Sequence, residues 1–344
     1  MNDVPADPIQ APPSRRGVLA SAVALTGGGL ASAAFIGPRP DPGPRRKTTM
    51  GIYGLGAQVG VANAPIFERW LGRPITYMVD NGDQSADWLQ LVSSVNWMGQ
   101  QWAPTRWVPY VGVPMLPEAH RGKLSQGADG DFDTHFAEIG LNLVRHGLAR
   151  ADVRIGWEMN GNWQPWSAQP DPDAWRRFYR RAVEAMRSAP GQAFRFDWCV
   201  ALGDMGMSPA EAYPGDAWVD VIGGDIYCES AFWLPANPAR KFIDHYRNGR
   251  YGLAWHRDFA IRHNKQISFP EWGTSMGKLD GARRGGGDDP HFIHAMARWM
   301  DGLGPRLTRH HYFLKALDRD CDLTNAAHFP RAGVAFQREF GSVK

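Results

Sequence analysis

The chain has 344 residues, 43% of them hydrophobic and 21% charged, with a formal net charge of +3. This is an ordinary globular mixture, long enough for one large domain or two small ones. The charge is too mild to point to nucleic acid, so none is expected as a partner. Three cysteines, Cys199, Cys228 and Cys321, are too few for a disulfide framework.

Ser14-Arg15-Arg16-Gly17-Val18-Leu19 is a twin-arginine pattern. A weakly apolar run, 18–30, and the small residues Ala31-Ser32-Ala33 follow. That order of basic, apolar and cleavable segments predicts an export signal over 1–33, hence a periplasmic or secreted protein. The run is too short and too rich in glycine to span a bilayer, and no other stretch could. No membrane insertion is therefore expected once the signal is removed. Residues 34–47, rich in Pro, Gly and basic side chains, read as a linker.

From residue 48 the chain alternates between apolar strand-like runs and amphipathic helices. Strands are predicted at 49–53, 75–79, 107–113, 153–157, 194–200, 219–226, 266–269 and 311–314. Helices are predicted at 64–71, 88–95, 133–148 and 251–262. Asp171-Pro172 and Asp289-Pro290 each supply a cap and a first-turn proline for two more. After the first, Trp175, Phe178, Tyr179, Ala182, Val183 and Met186 fall on one helical face. Eight strands alternating with helices over 48–344 predict a single (β/α)8 TIM barrel. An open doubly wound sheet is the alternative. Gly54-Leu55-Gly56 lacks the third glycine and later acidic residue of a dinucleotide fingerprint, so no such cofactor is expected.

In a (β/α)8 barrel, residues at the C-terminal strand ends face the active site. Glu158 closes the fourth strand and Glu271 the seventh, and the two are expected across the barrel mouth from each other. Two carboxyl groups about 5–5.5 Å apart are what a retaining glycosidase needs. Glu158, among Trp157, Trp163 and Trp166, suits a protonated acid, because an apolar site raises a carboxyl pKa. Glu271, held between Pro270 and Trp272-Gly273, suits a rigidly aimed nucleophile. Flat tryptophan faces can stack on sugar rings. Fifteen tryptophans fit carbohydrate binding and fit a large core equally well.

Trp157-Glu158-Met159-Asn160-Gly161 with Trp163 and Trp166 resembles the acid/base motif of glycoside hydrolase family 26. Asp220-Val221-Ile222-Gly223-Gly224-Asp225-Ile226-Tyr227 is similar to that family's sixth strand, and Pro270-Glu271-Trp272-Gly273 to its nucleophile segment. The resemblance spans roughly 50–340. It implies a clan-A barrel with a retaining mechanism, in a family best known for β-1,4-mannanases with some β-glucan and β-xylan enzymes. It makes Glu158 the acid/base, Glu271 the nucleophile, and Tyr227 a hydrogen-bond partner that orients Glu271. Asp225 is either part of the site or a buried cap for a neighbouring loop. Two positions depart from the family. Trp157 stands where a histidine usually precedes the acid/base, and His310-His311-Tyr312-Phe313 stands where the eighth strand usually ends in tryptophan. A platform there must be Tyr312 or Phe313.

The expected reaction is retaining, endo-acting hydrolysis of β-glycosidic bonds in a polysaccharide, by a monomer without metal or cofactor. Substrate contacts are expected from Trp157, Asn160, Trp163, Trp166, Tyr227, Trp272 and Tyr312. The alternatives are hydrolysis of an acidic or branched exopolysaccharide, and a barrel that binds glycan without turnover. Other features are weaker. Asp318, Asp320 and Asp322 resemble the start of a calcium loop, but Leu323 and Phe329 stand where glycine and glutamate belong. The stretch 281–289, with Arg283 and Arg284, reads as a solvated loop or as a lid over an acidic glycan. His310 and His311 point to opposite faces of their strand, as core or rim residues rather than metal ligands. Cys199 and Cys228 are left open as a pair.

Overall fold

The computed structural model describes residues 50–53, 57–229, 238–277, 284–314 and 320–342. The export signal, the linker, Gly54-Leu55-Gly56, Arg283 and Asp318 lie outside them. Eight strands, β1 (Met50–Tyr53), β2 (Tyr77–Asn81), β3 (Val108–Val113), β4 (Asp152–Ile155), β5 (Arg195–Ala201), β6 (Val221–Cys228), β7 (Gln266–Thr274) and β8 (Leu307–Phe313), pair in parallel and in chain order. β8 returns to β1 and closes the barrel.

Around it pack α1 (Ala57–Leu71), α2 (Trp88–Trp102), α3 (Leu124–Asp129), α4 (Asp133–Arg145), α5 (Pro172–Arg187), α6 (Pro238–Lys241), α7 (Leu253–Arg262), α8 (Pro290–Leu303) and α9 (Ala332–Phe340). The capping chemistry is as the sequence predicts. Asp171 accepts the Ala174 N–H at 2.8 Å, and Asp289 accepts those of His291 and Phe292 at 2.9 and 3.1 Å. Each such cap stabilises its helix by about 1 kcal/mol. The predicted face of α5, Trp175 to Met186, is buried to the last residue. Helices α3 and α9 carry no cap or long periodic run that announces them.

Strand parity divides the side chains. Outward-facing residues such as Trp198, Phe269 and Trp272 form the apolar layer under the helices. The inner face carries buried polar and charged side chains beside a small cluster of Val79, Tyr110 and Phe313. Near the start of the strands Asp152 pairs with Arg309, and Ser268 donates to Asp197. Burial pushes the Asp197 carboxyl up to about 6, against the opposing pull of Ser268 and Arg309.

One irregularity shapes the mouth. On the β6 side Ser268 pairs with Gly223 and Trp272 with Ile226, so Phe269, Pro270 and Glu271 span only Gly224 and Asp225. On the β8 side Pro270 and Glu271 together oppose His311 alone. This is a β-bulge, placed where Pro270 has no N–H to give to a ladder.

Candidate active site

The bulge turns Glu271 into the barrel and frees its backbone N–H from regular pairing. Asp225 Oδ1 accepts that N–H at 2.9 Å. Its other oxygen accepts from Arg154 Nη1 at 3.0 Å. Asp225 is thus both a cap and part of the site. Burial pushes its carboxyl well up, while Arg154 pulls it down.

Arg154 is the residue that sequence reading missed. It sits on β4, wholly buried, and reaches Glu271 Oε1 through Nη2 at 2.6 Å. The same nitrogen lies 3.3 Å from Asn81 Oδ1, and the guanidinium lies over the Trp157 ring at 4.7 Å. Burial alone would lower its pKa, but Glu271 and Asp225 outweigh that and hold it well above the ordinary value. A fork of donors suits this task, because one planar group serves two carboxylates. Gly112 on β3 leaves the room Asn81 needs beside it.

Tyr227 donates to Glu271 Oε2 at 2.7 Å, so both carboxylate oxygens are held. Burial first, then the negative charges of Glu271, Asp225 and Glu158, push the phenol well above the usual tyrosine range. Tyr227 therefore stays a proton donor. Glu158 as well as Glu271 adds negative charge at Tyr227 and at Asp225.

Glu158 does not end a strand as expected. β4 stops at Ile155, and Glu158 stands in the following turn with φ of 54°. A left-handed glutamate costs about 1–3 kcal/mol of backbone strain. The turn is held in spite of this by the Glu158 N–H to the Cys199 carbonyl at 3.0 Å and by the contacts of Asn160 described below. Trp163 Nε1 donates to Glu158 Oε2 at 2.9 Å.

The other expected contacts divide. Trp163 and Tyr227 are half-buried, and each donates to one of the two glutamates. Trp157 is 7% exposed, and its ring is taken by Arg154 and by an edge contact with Trp166 at 4.9 Å. Four residues must be withdrawn as substrate contacts. Asn160 is buried and spends its amide on the Ala201 carbonyl and N–H, at 2.8 and 3.0 Å. Trp166 is buried and donates to the Trp157 carbonyl at 2.8 Å. Trp272 and Tyr312 face outward into the α8 and α9 layer, against Phe292 and Phe336. Parity explains both: Glu271 and Phe313 point inward, so their strand neighbours cannot. Phe313 meets the Tyr227 ring edge-on at 5.4 Å.

Among the described residues no group of three His, Cys, Asp or Glu could hold a metal ion. No described helix is long and apolar enough to cross a membrane. Cys199, Cys228 and Cys321 are buried, and Cys199 and Cys228 are not joined in a disulfide. From Arg284 onward the chain after β7 is tied down, with Gly285 bridging Glu229 and Gly286 donating to the Cys228 carbonyl. His310 and His311 do face opposite ways, His310 toward Trp272 and His311 toward Tyr110.

Residues 152–237 match glycosyl hydrolase family 26. The match carries Arg154, Glu158, Asp225 and Tyr227; Glu271 lies beyond it and is joined to them by the fold. No curated protein matches the sequence. Among solved structures the fold is similar to that of a Bacillus subtilis mannanase, at 14% identity and a TM-score of 0.57 over 84% of each chain. It is also similar to a modular endo-β-1,4-mannanase from Cellulomonas fimi, at 16% identity and a TM-score of 0.60, over 86% of this chain and 69% of that one. A fungal β-1,4-galactanase shares the fold at 10% identity and a TM-score of 0.54, over 85% of this chain and all of the other. The chain resembles family 26 in sequence and has the barrel fold, and together these support a glycoside hydrolase.

Proposed function

We propose that this protein is a retaining hydrolase of β-linked polysaccharide, with Glu271 as nucleophile and Glu158 as acid and base. The observation that carries the reading is the unlike setting of the two carboxyl groups. Glu271 is gripped at one oxygen by Arg154 and at the other by Tyr227. That arrangement aims a charged nucleophile and keeps lone pairs for attack. Glu158 stands on a turn, beside an indole, where a proton can pass to and from a leaving oxygen.

In the first step Glu158 protonates the glycosidic oxygen while a Glu271 oxygen attacks the anomeric carbon. The bond to the leaving sugar breaks, and a glycosyl ester forms on Glu271. Glu158, now ionised, takes a proton from water, which attacks the same carbon and frees Glu271. Two inversions retain the configuration. Trp163 offers a half-exposed ring face for a sugar next to Glu158. The family match and the mannanase folds favour a β-1,4-mannan or a related β-glycan, cut within the chain. Release of reducing ends is measured over mannan, mixed-linkage glucan, xylan and bacterial exopolysaccharides. Release from a β-glycan by the wild type and none by Glu271→Ala is expected; equal release by both would overturn the proposal.

Export by the twin-arginine route is proposed with it, on Arg15, Arg16 and the run that follows. Lysine at both positions should leave the protein in the cytoplasm, and mature protein still found outside would refute this.

A further inference from the structure

The chain folds back on itself at the end of β4. Had the strand run on, Trp157 would point away from Arg154, because alternation puts residues three apart on opposite faces. The alternation breaks between them. Gly156 and Glu158, on either side of Trp157, both sit in the left-handed region, each at φ of 54°. Backbone groups pin this turn. The Gly156 N–H goes to the Val113 carbonyl at 3.1 Å and the Glu158 N–H to that of Cys199 at 3.0 Å. The Trp157 carbonyl accepts Trp166 Nε1 at 2.8 Å. So held, the indole returns over the Arg154 guanidinium, with 4.7 Å from Cζ to the ring centroid.

Arg154 needs a contact of that kind. Its hydrogen bonds to Asp225, Glu271 and Asn81 all leave from the two Nη atoms. Its Nε is buried and makes no hydrogen bond among the described residues. Bonds at one end of the plane set where the fork points and leave its tilt to whatever packs on its face. The Tyr110 ring is also near, but farther away at 5.9 Å. An indole face is the best aromatic partner for a cation, and the attraction grows where water is excluded. Arg154 is 0% exposed and Trp157 7%. With Trp166 packed against the same ring at 4.9 Å, no open face is left for a sugar to stack on.

We infer that Trp157 is a positioning residue, which acts through Arg154 to hold the fork on Glu271 and Asp225 and does not bind the glycan. This role rests on the hydrolase reading and deepens it, because the indole then serves the rate of the chemical step rather than affinity.

Steady-state rates are measured for Trp157→Leu, which removes the ring, and Trp157→Phe, which keeps a smaller one, at a temperature where circular dichroism shows both folded. Trp157→Met, equally ringless, replaces Trp157→Leu if the latter fails to fold. The ringless variant should lower kcat by about tenfold and leave KM within about twofold. Trp157→Phe should recover kcat to within about threefold of wild type. In an Arg154→Met background, losing the ring should change kcat by less than about twofold, because the group it acts through is gone. A spectroscopic reading stands apart from turnover. The Arg154 Nε–H resonance, identified as the one missing in Arg154→Met, should lie upfield under the indole ring current and move downfield in the ringless variant. The role is overturned if KM rises while kcat holds, or if the ringless and phenylalanine variants lose kcat alike or not at all. It is also overturned if the losses from Trp157 and Arg154 multiply, or if the resonance stays in place. A wild type that hydrolyses nothing would sink the hydrolase reading, and the resonance would still decide whether Trp157 holds the fork.

Discussion

Replacing Arg154 with methionine keeps most of the side chain's volume and removes its charge. The wild-type guanidinium lies 2.6 Å from Glu271 and 3.0 Å from Asp225, with no exposure to solvent. Its loss leaves two carboxyl groups facing each other without a cation. Breaking one buried pair by removing a partner costs about 3–5 kcal/mol. A domain is stable by only about 5–15 kcal/mol in all. At about 2–4 °C per kcal/mol, the melting temperature should fall by roughly 6–20 °C. Turnover suffers separately, because the nucleophile loses a preorganised charge, and kcat should drop by about 10²–10³. KM should change little, since Arg154 is buried beneath the substrate. Arg154→Lys should fall between, as a single ammonium cannot fork between two carboxylates. Thermal unfolding followed by far-ultraviolet circular dichroism and initial rates on the best glycan measure both effects. An Arg154→Met protein with a melting temperature within about 2 °C of wild type and unchanged kcat would refute the reasoning.

Tyr227→Phe removes one hydrogen bond to the Glu271 carboxylate and should lower kcat by about ten- to a hundredfold with stability nearly intact; steady-state rates beside melting curves read the two apart. Asn160→Ala should do the opposite first, costing about 2–3 kcal/mol of stability through the two lost bonds to Ala201, seen as a lower urea midpoint. Acid should destabilise the fold below the ordinary imidazole value of 6.5, because burial holds His256 near 4 and His310 near 3. The unfolded chain binds protons there that the folded one refuses, so their stabilisation is present above 6.5 and lost as pH falls toward those values. Asp197 works the other way: its folded value near 6 lies above the ordinary 3.8, so it favours the fold as pH drops from 6 toward 4. Melting temperatures measured from pH 7 to pH 4 should therefore fall less steeply in His310→Leu and more steeply in Asp197→Asn.

The barrel was legible because its strands are apolar runs of the right length and two of its helices, α5 and α8, carry Asp-Pro caps that fix where they begin. Glu158 and Glu271 stood out in the sequence as isolated carboxylates after such runs, although β4 stops at Ile155 and β7 continues past Glu271 to Thr274. What failed was direction. Trp272 follows Glu271 directly, and alternation in a strand already requires one of them to face out, so its burial under α9 could have been read from the nucleophile's position. Tyr312 failed for want of an anchor: nothing in the eighth strand says which parity faces inward until Arg309 is seen against Tyr77. Arg154 did leave a signal, a charge between Val153 and Ile155 in the predicted strand 153–157. Such a residue must find buried partners, and the partners are the acidic residues of two distant strands. Asn160 and Trp166 misled because polar and aromatic side chains that hold a tight turn have the same composition as those that hold a sugar.

The central claim is that Glu271 becomes covalently glycosylated, and the fate of that side chain during turnover tests it most directly. The Glu158→Ala protein is mixed with an activated aryl glycoside of the sugar that the wild type releases, quenched, digested and analysed by mass spectrometry. Such a leaving group needs little protonation, whereas water without the base attacks slowly, so the ester should accumulate. The account predicts the sugar on the peptide that carries Glu271, its loss when azide is added, and a glycosyl azide of retained configuration. An unmodified Glu271 during turnover, or a product of inverted configuration, would contradict it.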